Sequence, residues 1–278
     1  MLARTAFALN HIATPHLNCA SFFDLARRVG LDIVEIRNDL AGVPIVDGTS
    51  PSIVRRQAQS AGVRILTINA LQRFNEWNEH RAAEACELAR YVRDCGAQAL
   101  VLVPVNDASY RPGERGLAQR LREALRELKP ILADAGVLGF LEPLGFEICS
   151  LRSKREALAA IDDIDGAAVF QLVHDTFHHY LSGESDIYPS RTGLVHISGV
   201  DDTSLLVADM RDAHRVLVDE HDVLGNIAQI GALRAGGYRG VFSFEPFAAR
   251  IQEAPDIERR LRDSISLITA RLGPAAQG

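Results

Sequence analysis

The stretch LAQRLREALRELKPILADAGVLGFLE, residues 117–142, decides the fold. Leu117, Leu121, Leu125, Leu128, Ile131 and Leu132 recur at spacings of three and four, which puts them on one face of a helix. The pattern stops before Gly136. A short apolar run, Val137–Glu142, follows at once and ends in a carboxylate. A helix closed by glycine and followed directly by an apolar strand is the αβ connection of layered α/β proteins. Pro130 lacks the amide hydrogen that a helix interior uses, so it is expected to kink or restart this helix.

The same unit repeats in both directions. Apolar runs at Ala6–Asn10, Ile33–Arg37, Val63–Asn69 and Ala99–Pro104 precede it. Runs at Val169–Asp175, Gly193–Ile197 and Val241–Glu245 follow. They are nearly continuous rather than alternating, as in strands of a parallel sheet covered on both faces. Further helical stripes are Ala82, Ala85, Cys86, Ala89 and Val92, closed by Gly96, and Ile257, Leu261, Ile265, Ile268 and Leu272. Gly30, Gly62 and Gly237 punctuate other units in the same way. Eight such units in 278 residues predict an α/β fold, a single (β/α)8 TIM barrel over residues 1–272 with a flexible C-terminal tail at 273–278. A doubly wound dinucleotide-binding sheet would carry GxGxxG after its first strand, where this chain has HIATPHLN. The long segment 201–226 is read as a functional loop of unassigned helix content.

Composition removes several function classes. At 47% hydrophobic and 24% charged residues, the chain is neither disordered nor a disulfide scaffold. A formal charge of −6 supplies no basic field for a phosphate backbone, which argues against nucleic acid. No apolar run approaches the roughly 20 residues of a membrane span, which argues against a membrane partner. Met1–Asn10 holds only Arg4 as a cation and does not read as a signal peptide, and Cys19, Cys86, Cys95 and Cys149 form no CxxC. A reduced, cytoplasmic chain is the expectation. Of 30 basic residues only Lys129 and Lys154 are lysines, and neither follows an apolar strand, which counts against Schiff-base chemistry.

In a barrel of this kind, sites form at the carboxyl ends of the strands. The runs end in or carry Asn10 and His11, then Glu35 and Arg37, then Asn69, Asn106, Glu142, Asp175, His196 and Glu245. Glu142, Asp175, His196 and Glu245 close four consecutive strands, and neighbouring strand ends lie about 5 Å apart. Three carboxylates and an imidazole suit one divalent ion: Mn²⁺, Mg²⁺, Co²⁺ or Zn²⁺. Alone, each has an ordinary explanation: a strand-end Glu is usually solvated, and a His in an apolar run usually sits satisfied in the core. Four in register argue for a metal centre. In HDTFHH, Asp175 and His178 stand one helical turn apart. Asp175 could cap the helix through one oxygen and bind metal through the other, while His178 reaches the substrate. His174 is expected in the barrel wall, and His179 is expected to be structural or exposed.

These residues bring out a resemblance. IVEIR at 33–37, INALQRFN at 68–75, LVPV at 102–105, LEPLGFEICS at 141–150, LVHDTFHHYLSG at 172–183, LVHISGVDDT at 194–203, HRV at 214–216 and FSFEPF at 242–247 resemble the xylose-isomerase-like TIM barrels over nearly the whole chain. Within that family the chain is most similar to the inosose (2-keto-myo-inositol) isomerases of inositol catabolism. The resemblance implies metal ligands at Glu142, Asp175, His196 and Glu245, the set that strand-end counting selects. It implies substrate contact at His178. Arg215 is expected to meet a substrate oxygen or a ligating carboxylate. It also implies that Glu142 and Glu245 act as an acid/base pair. Dimers and tetramers are common among such relatives, which leaves a homo-oligomer open. This chain departs from the pattern with Phe146 in place of a histidine, with a longer loop after His196, and with His11 at an acidic first-strand position.

The implied reaction moves a carbonyl to a neighbouring carbon of a polyhydroxy ketone through an enediolate, with the metal as Lewis acid. Glu142 and Glu245 serve as base and acid. Asn10, His11, Asn69 and Glu35 are candidates to read substrate hydroxyls, and Phe74 and Trp77 to form an apolar wall. Glu35 and Arg37 read equally as a buried ion pair, and Trp77 equally as helix packing. The alternatives are inosose dehydration or ketose 3-epimerisation on the same metal, a non-catalytic sugar sensor, and remotely an endonuclease IV-like DNA-repair activity. The last needs a histidine-rich trinuclear zinc site and a basic surface, and this acidic chain offers one histidine among four ligand positions.

Overall fold

The computed structural model describes residues 5–40, 45 and 48–273. The expected tail therefore lies outside the described residues apart from Gly273. In chain order the elements are β1 Ala6–Asn10, α1 Cys19–Val29, β2 Ile33–Arg37, α2 Pro51–Ala61, β3 Arg64–Gln72, α3 Glu79–Cys95, β4 Ala99–Val103 and α4 Glu114–Ala135. They continue with β5 Leu138–Leu141, α5 Lys154–Asp162, β6 Phe170–Asp175, α6 Thr176–Ser182, β7 Thr192–Ile197, α7 Asn226–Ala235, β8 Val241–Phe244, α8 Ala249–Gln252 and α9 Ile257–Leu272. The eight strands pair in sequence order, all parallel, and β1 closes the ring on β8. The chain is a single (β/α)8 TIM barrel.

Alternation along the strands sorts side chains into two cores. Ala8, Ile33, Leu66, Val101, Phe140, Val173, Leu194 and Val241, one from each strand, pack together inside the barrel. Their neighbours, such as Leu9, Val34, Ile36, Leu172, Val195 and Phe242, pack outward with helix residues such as Phe22, Ala89, Leu125 and Ile268. Both faces of each strand are thus apolar, which is why the runs did not alternate. His174 falls on the outer side, where its Nε2 meets Gln229 Oε1 of α7 at 3.0 Å.

Gly136 closes α4 in the left-handed conformation (φ +68°), which a side chain would strain. The strand that follows approaches α4 closely. A Cβ on Gly139 would meet Leu132 and Phe170 side-chain carbons at 2.8 Å. Two expectations need correction. Of the two outcomes expected at Pro130, a restart does not occur: α4 runs unbroken from Glu114 to Ala135. Leu125 and Leu128 before the proline and Leu132 after it are all fully buried, so packing on both sides holds one helix despite the missing amide. β3 also extends three residues beyond Asn69, because Leu71 and Gln72 continue to pair with Leu102 and Val103. Among the described residues no helix is long and apolar enough to cross a membrane.

Candidate active site

The inward positions of β5 to β8 continue past the apolar interior with period two. Phe140 leads to Glu142, Val173 to Asp175, Leu194 to His196, and Val241 through Ser243 to Glu245. Parallel register places Asp175 beside His196 and His196 beside Ser243. One ligand atom from each of Glu142, Asp175, His196 and Glu245 lies within 4.8 Å of the others, and all four residues are buried. His196 Nδ1 is 2.7 Å from Glu142 Oε1, 3.3 Å from Glu245 Oε2 and 3.9 Å from Asp175 Oδ2. Ligands held about 2.0–2.2 Å from one ion stand roughly 3–3.5 Å apart. The four donors therefore suit one divalent cation after small adjustments, and their chemistry suits a hard or borderline one.

Carboxylates this deep require compensation. Arg215, itself 1% exposed, gives Nη2 to Asp175 Oδ2 at 2.6 Å and to Glu245 Oε2 at 2.8 Å, and its Nε to Ser198 at 2.9 Å. Arg37 gives Nη1 to Glu245 Oε1 at 3.1 Å and a two-point contact to Asp39. Both guanidiniums lie over the Phe247 ring, Arg215 at 4.6 Å and Arg37 at 5.5 Å from its centroid. Burial alone would raise the Asp175 carboxyl, but Arg215, His178 and His196 outweigh it and hold it below the carboxylate range. Glu245 goes the other way. Its burial, reinforced by Glu142, pushes its carboxyl above the ordinary value in spite of His196, Arg215 and Arg37. Burial would lower the His196 imidazole, but Glu245, Glu35 and Glu142 together raise it well above the ordinary histidine range.

Asp175 caps α6 through Oδ1, which accepts the His178 amide at 2.9 Å, and turns Oδ2 to Arg215 and His196. The cap thus uses one oxygen and leaves the other facing the remaining candidate ligands, as the D-x-x-H spacing allows. The helix start it fixes brings His178 to the cleft, where Phe146 meets it edge-on at 5.1 Å. Gly145 permits this, because a Cβ there would strike the His178 carbonyl. Burial lowers the His178 imidazole, which favours its neutral form. The cleft is about 280 Å³ and is also lined by Arg37, Asn69, Asn106 and Phe247. The segment after β7 reaches it through two 3₁₀ turns, Val207–Asp209 and Asp212–His214. It is pinned by reciprocal Gly199–Val216 amide bonds and by the Phe247 and Ala248 amides on the Arg215 carbonyl.

Several expected contacts fall elsewhere. His11 packs on Phe22 of α1 (ring centroids 4.2 Å apart) and bonds the Leu17 carbonyl through Nε2, so it does not line the cleft. Asn10 lies beneath the cleft, with Nδ2 on Glu245 Oε1 at 3.2 Å and Oδ1 on the Ile12 amide. Phe74 is fully buried and Trp77 packs against the outer core, so neither forms the cleft wall. Phe146 and Phe247 take that place. Glu35 and Arg37 are not a pair: Glu35 faces His196, and Arg37 faces Glu245 and Asp39. Their roles were missed, though both occupy inward positions after Ile33, and charges there can face only the polar end of a barrel.

A family model described as xylose isomerase-like TIM barrel matches residues 23–271. Among solved structures, a xylose isomerase domain-containing protein from Salmonella typhimurium LT2 is 34% identical, with 96% of this chain and 98% of that one aligned and a TM-score of 0.88. An IolI protein solved with a bound zinc atom is 20% identical over 96% of this chain and 98% of its own, with a TM-score of 0.84. A D-psicose 3-epimerase from Clostridium cellulolyticum H10, solved with D-tagatose, is 16% identical over 96% and 99%, with a TM-score of 0.73. The last two likenesses establish the fold alone. No curated protein gives a significant match.

Proposed function

Since the chain belongs to the xylose isomerase-like TIM-barrel family, whose members include sugar isomerases and epimerases, we propose that it is a metal-dependent isomerase of a sugar or cyclitol. The reaction it fits is carbonyl migration in 2-keto-myo-inositol or a similar polyhydroxy ketone. The observation that carries this reading is the convergence of Glu142, Asp175, His196 and Glu245 within 4.8 Å, with Glu142 and Glu245 lining the cleft. These four residues would hold one divalent ion, Mn²⁺, Mg²⁺, Co²⁺ or Zn²⁺. The cation supplies Lewis-acid stabilisation of negative charge developing on substrate oxygen.

The side chains supply the rest. Glu142 and Glu245 flank the cleft and exchange the proton, one withdrawing it from the carbon next to the carbonyl and the other returning it. Arg215 fixes the Asp175 and Glu245 oxygens by one shared nitrogen. His178 and Asn69 line the same cleft and would read substrate hydroxyls. Phe146 and Phe247 exclude water from one side of it. A small uncharged polyol fits, because Arg37 and Arg215 already have carboxylate partners.

Incubation with inososes and ketoses in D₂O tests the reading. Deuterium uptake beside the carbonyl with conserved product mass is expected. Absence of both uptake and product for every substrate overturns it. Loss of water would mean the dehydratase, and inversion at one carbon the epimerase, on the same residues.

A further inference from the structure

Strand β2 places Glu35 at the depth of His196, with no exposed surface on either. We propose that Glu35 is the positioning residue of the metal centre: it accepts the Nε2 hydrogen of His196 and so leaves Nδ1 as the metal-binding nitrogen. The inference rests on the metal-centre reading above. It assigns a role to a residue that touches neither cation nor substrate.

The two imidazole nitrogens have different neighbours. Nδ1 points into the group formed by Glu142, Glu245 and Asp175. Nε2 points away from it, 3.1 Å from Oε1 and 3.2 Å from Oε2 of Glu35. A neutral imidazole carries one hydrogen, and an ionised carboxylate can only accept. With a cation among the other three carboxylates, Nδ1 must offer its lone pair, so the hydrogen belongs on Nε2. A carboxylate behind a ligating imidazole sets its tautomer, holds its ring plane and raises its basicity.

Glu35 is itself held rigidly. Thr67 Oγ1 donates to Oε2 at 2.5 Å, Asn69 Nδ2 to Oε2 at 2.9 Å, and Asn10 Nδ2 to Oε1 at 3.4 Å. All three donors are neutral. Arg37, two residues on, is turned to Asp39 and Glu245. The buried negative charge of Glu35 is therefore directed at the imidazole, in a dry interior where such a contact is strong. A merely structural carboxylate, there to satisfy Thr67, Asn69 and Asn10, would not need to lie between 3.1 and 3.2 Å from a ligand's second nitrogen.

The test is a calorimetric Zn²⁺ titration of the wild-type chain and Glu35→Gln, with thermal melts of both. The expected result is a Zn²⁺ Kd about 10- to 100-fold weaker in the variant, the range for loss of such a partner. A lower melting temperature with unchanged Kd overturns the proposal, since that is what a structural role predicts. The second measurement needs no variant. Long-range ¹H–¹⁵N spectra of the Zn²⁺-loaded wild type should show His196 with hydrogen on Nε2 and metal on Nδ1. The opposite tautomer overturns the proposal even if Glu35→Gln does not fold. A wild type that binds no Zn²⁺, Mn²⁺, Mg²⁺ or Co²⁺ overturns the metal-centre reading. Equal binding by both proteins overturns the positioning role alone.

Discussion

The Arg215 guanidinium lies over Phe247, 4.6 Å from the ring centroid, while the Phe247 amide bonds the Arg215 carbonyl at 2.9 Å. The loop after β7 and the loop after β8 are thereby locked to each other at two points. Because Arg215 also bonds Asp175 and Glu245, the ring sets where two candidate metal ligands stand.

Phe247→Ala should therefore lower turnover while leaving the fold intact. Each cation–π stack contributes about 0.5–2 kcal/mol, which corresponds to roughly 2- to 30-fold if expressed in the transition state. Steady-state kinetics beside a thermal melt checks this. Wild-type kinetics in the variant would mean that the ring does not position the arginines.

Glu142→Ala and Glu245→Ala should each abolish metal-dependent turnover, because each removes one donor of the four and one half of the proposed acid/base pair. Elemental analysis of the purified variants should also find less bound metal than in the wild type. Near-normal activity in either variant would refute the assignment.

Chelation should lower the melting temperature and abolish turnover, and added Mn²⁺, Mg²⁺, Co²⁺ or Zn²⁺ should restore both. A ligand at 100 times its Kd stabilises the folded state by about 2.7 kcal/mol. Melts with EDTA and with each cation read this directly, and identical melts throughout would speak against a site that binds any of them.

His178→Ala should reduce kcat/KM with little change in metal affinity. Asp175 is held by the backbone amide at position 178, not by the imidazole, so the ligand stays in place. Calorimetry and kinetics on one preparation separate the two effects.

Acid should destabilise the chain in a defined window. Burial is the main influence on His11 and lowers its imidazole to about 4 from an ordinary 6.5. Between those values the unfolded chain binds a proton that the folded chain refuses. Stability is therefore fully present above about 6.5 and falls as the pH drops toward 4, by on the order of 3 kcal/mol from this group. Urea unfolding at pH 7 and pH 4.5 measures the slope. His11→Phe, which retains the stack on Phe22, should flatten it while lowering stability at pH 7 through the lost bond to Leu17.

Much of this molecule is local enough to read along the chain. Leu117 to Leu132 with Gly136 define one helix and its end, and Val137–Glu142 falls within a residue of the observed β5. Strand ends supplied the four converging residues because a barrel collects the carboxyl ends of its strands on one rim. His11 failed the same rule. It follows the last residue of β1 at the start of a 3₁₀ turn, and the change of backbone direction carries its ring to α1.

The order of strands and helices, the barrel and the strand-end residues were thus fixed by periodicity and chain grammar, which depend on neighbours a few residues apart. Which charge faces which was decided only by closure. Glu35 and His196 are 161 residues apart in sequence, and Arg37 and Glu245 are 208 apart. A strand's period states that a side chain points inward and gives nothing about its partner. That partner is set by the stagger of eight paired strands, which exists only once the ring is closed.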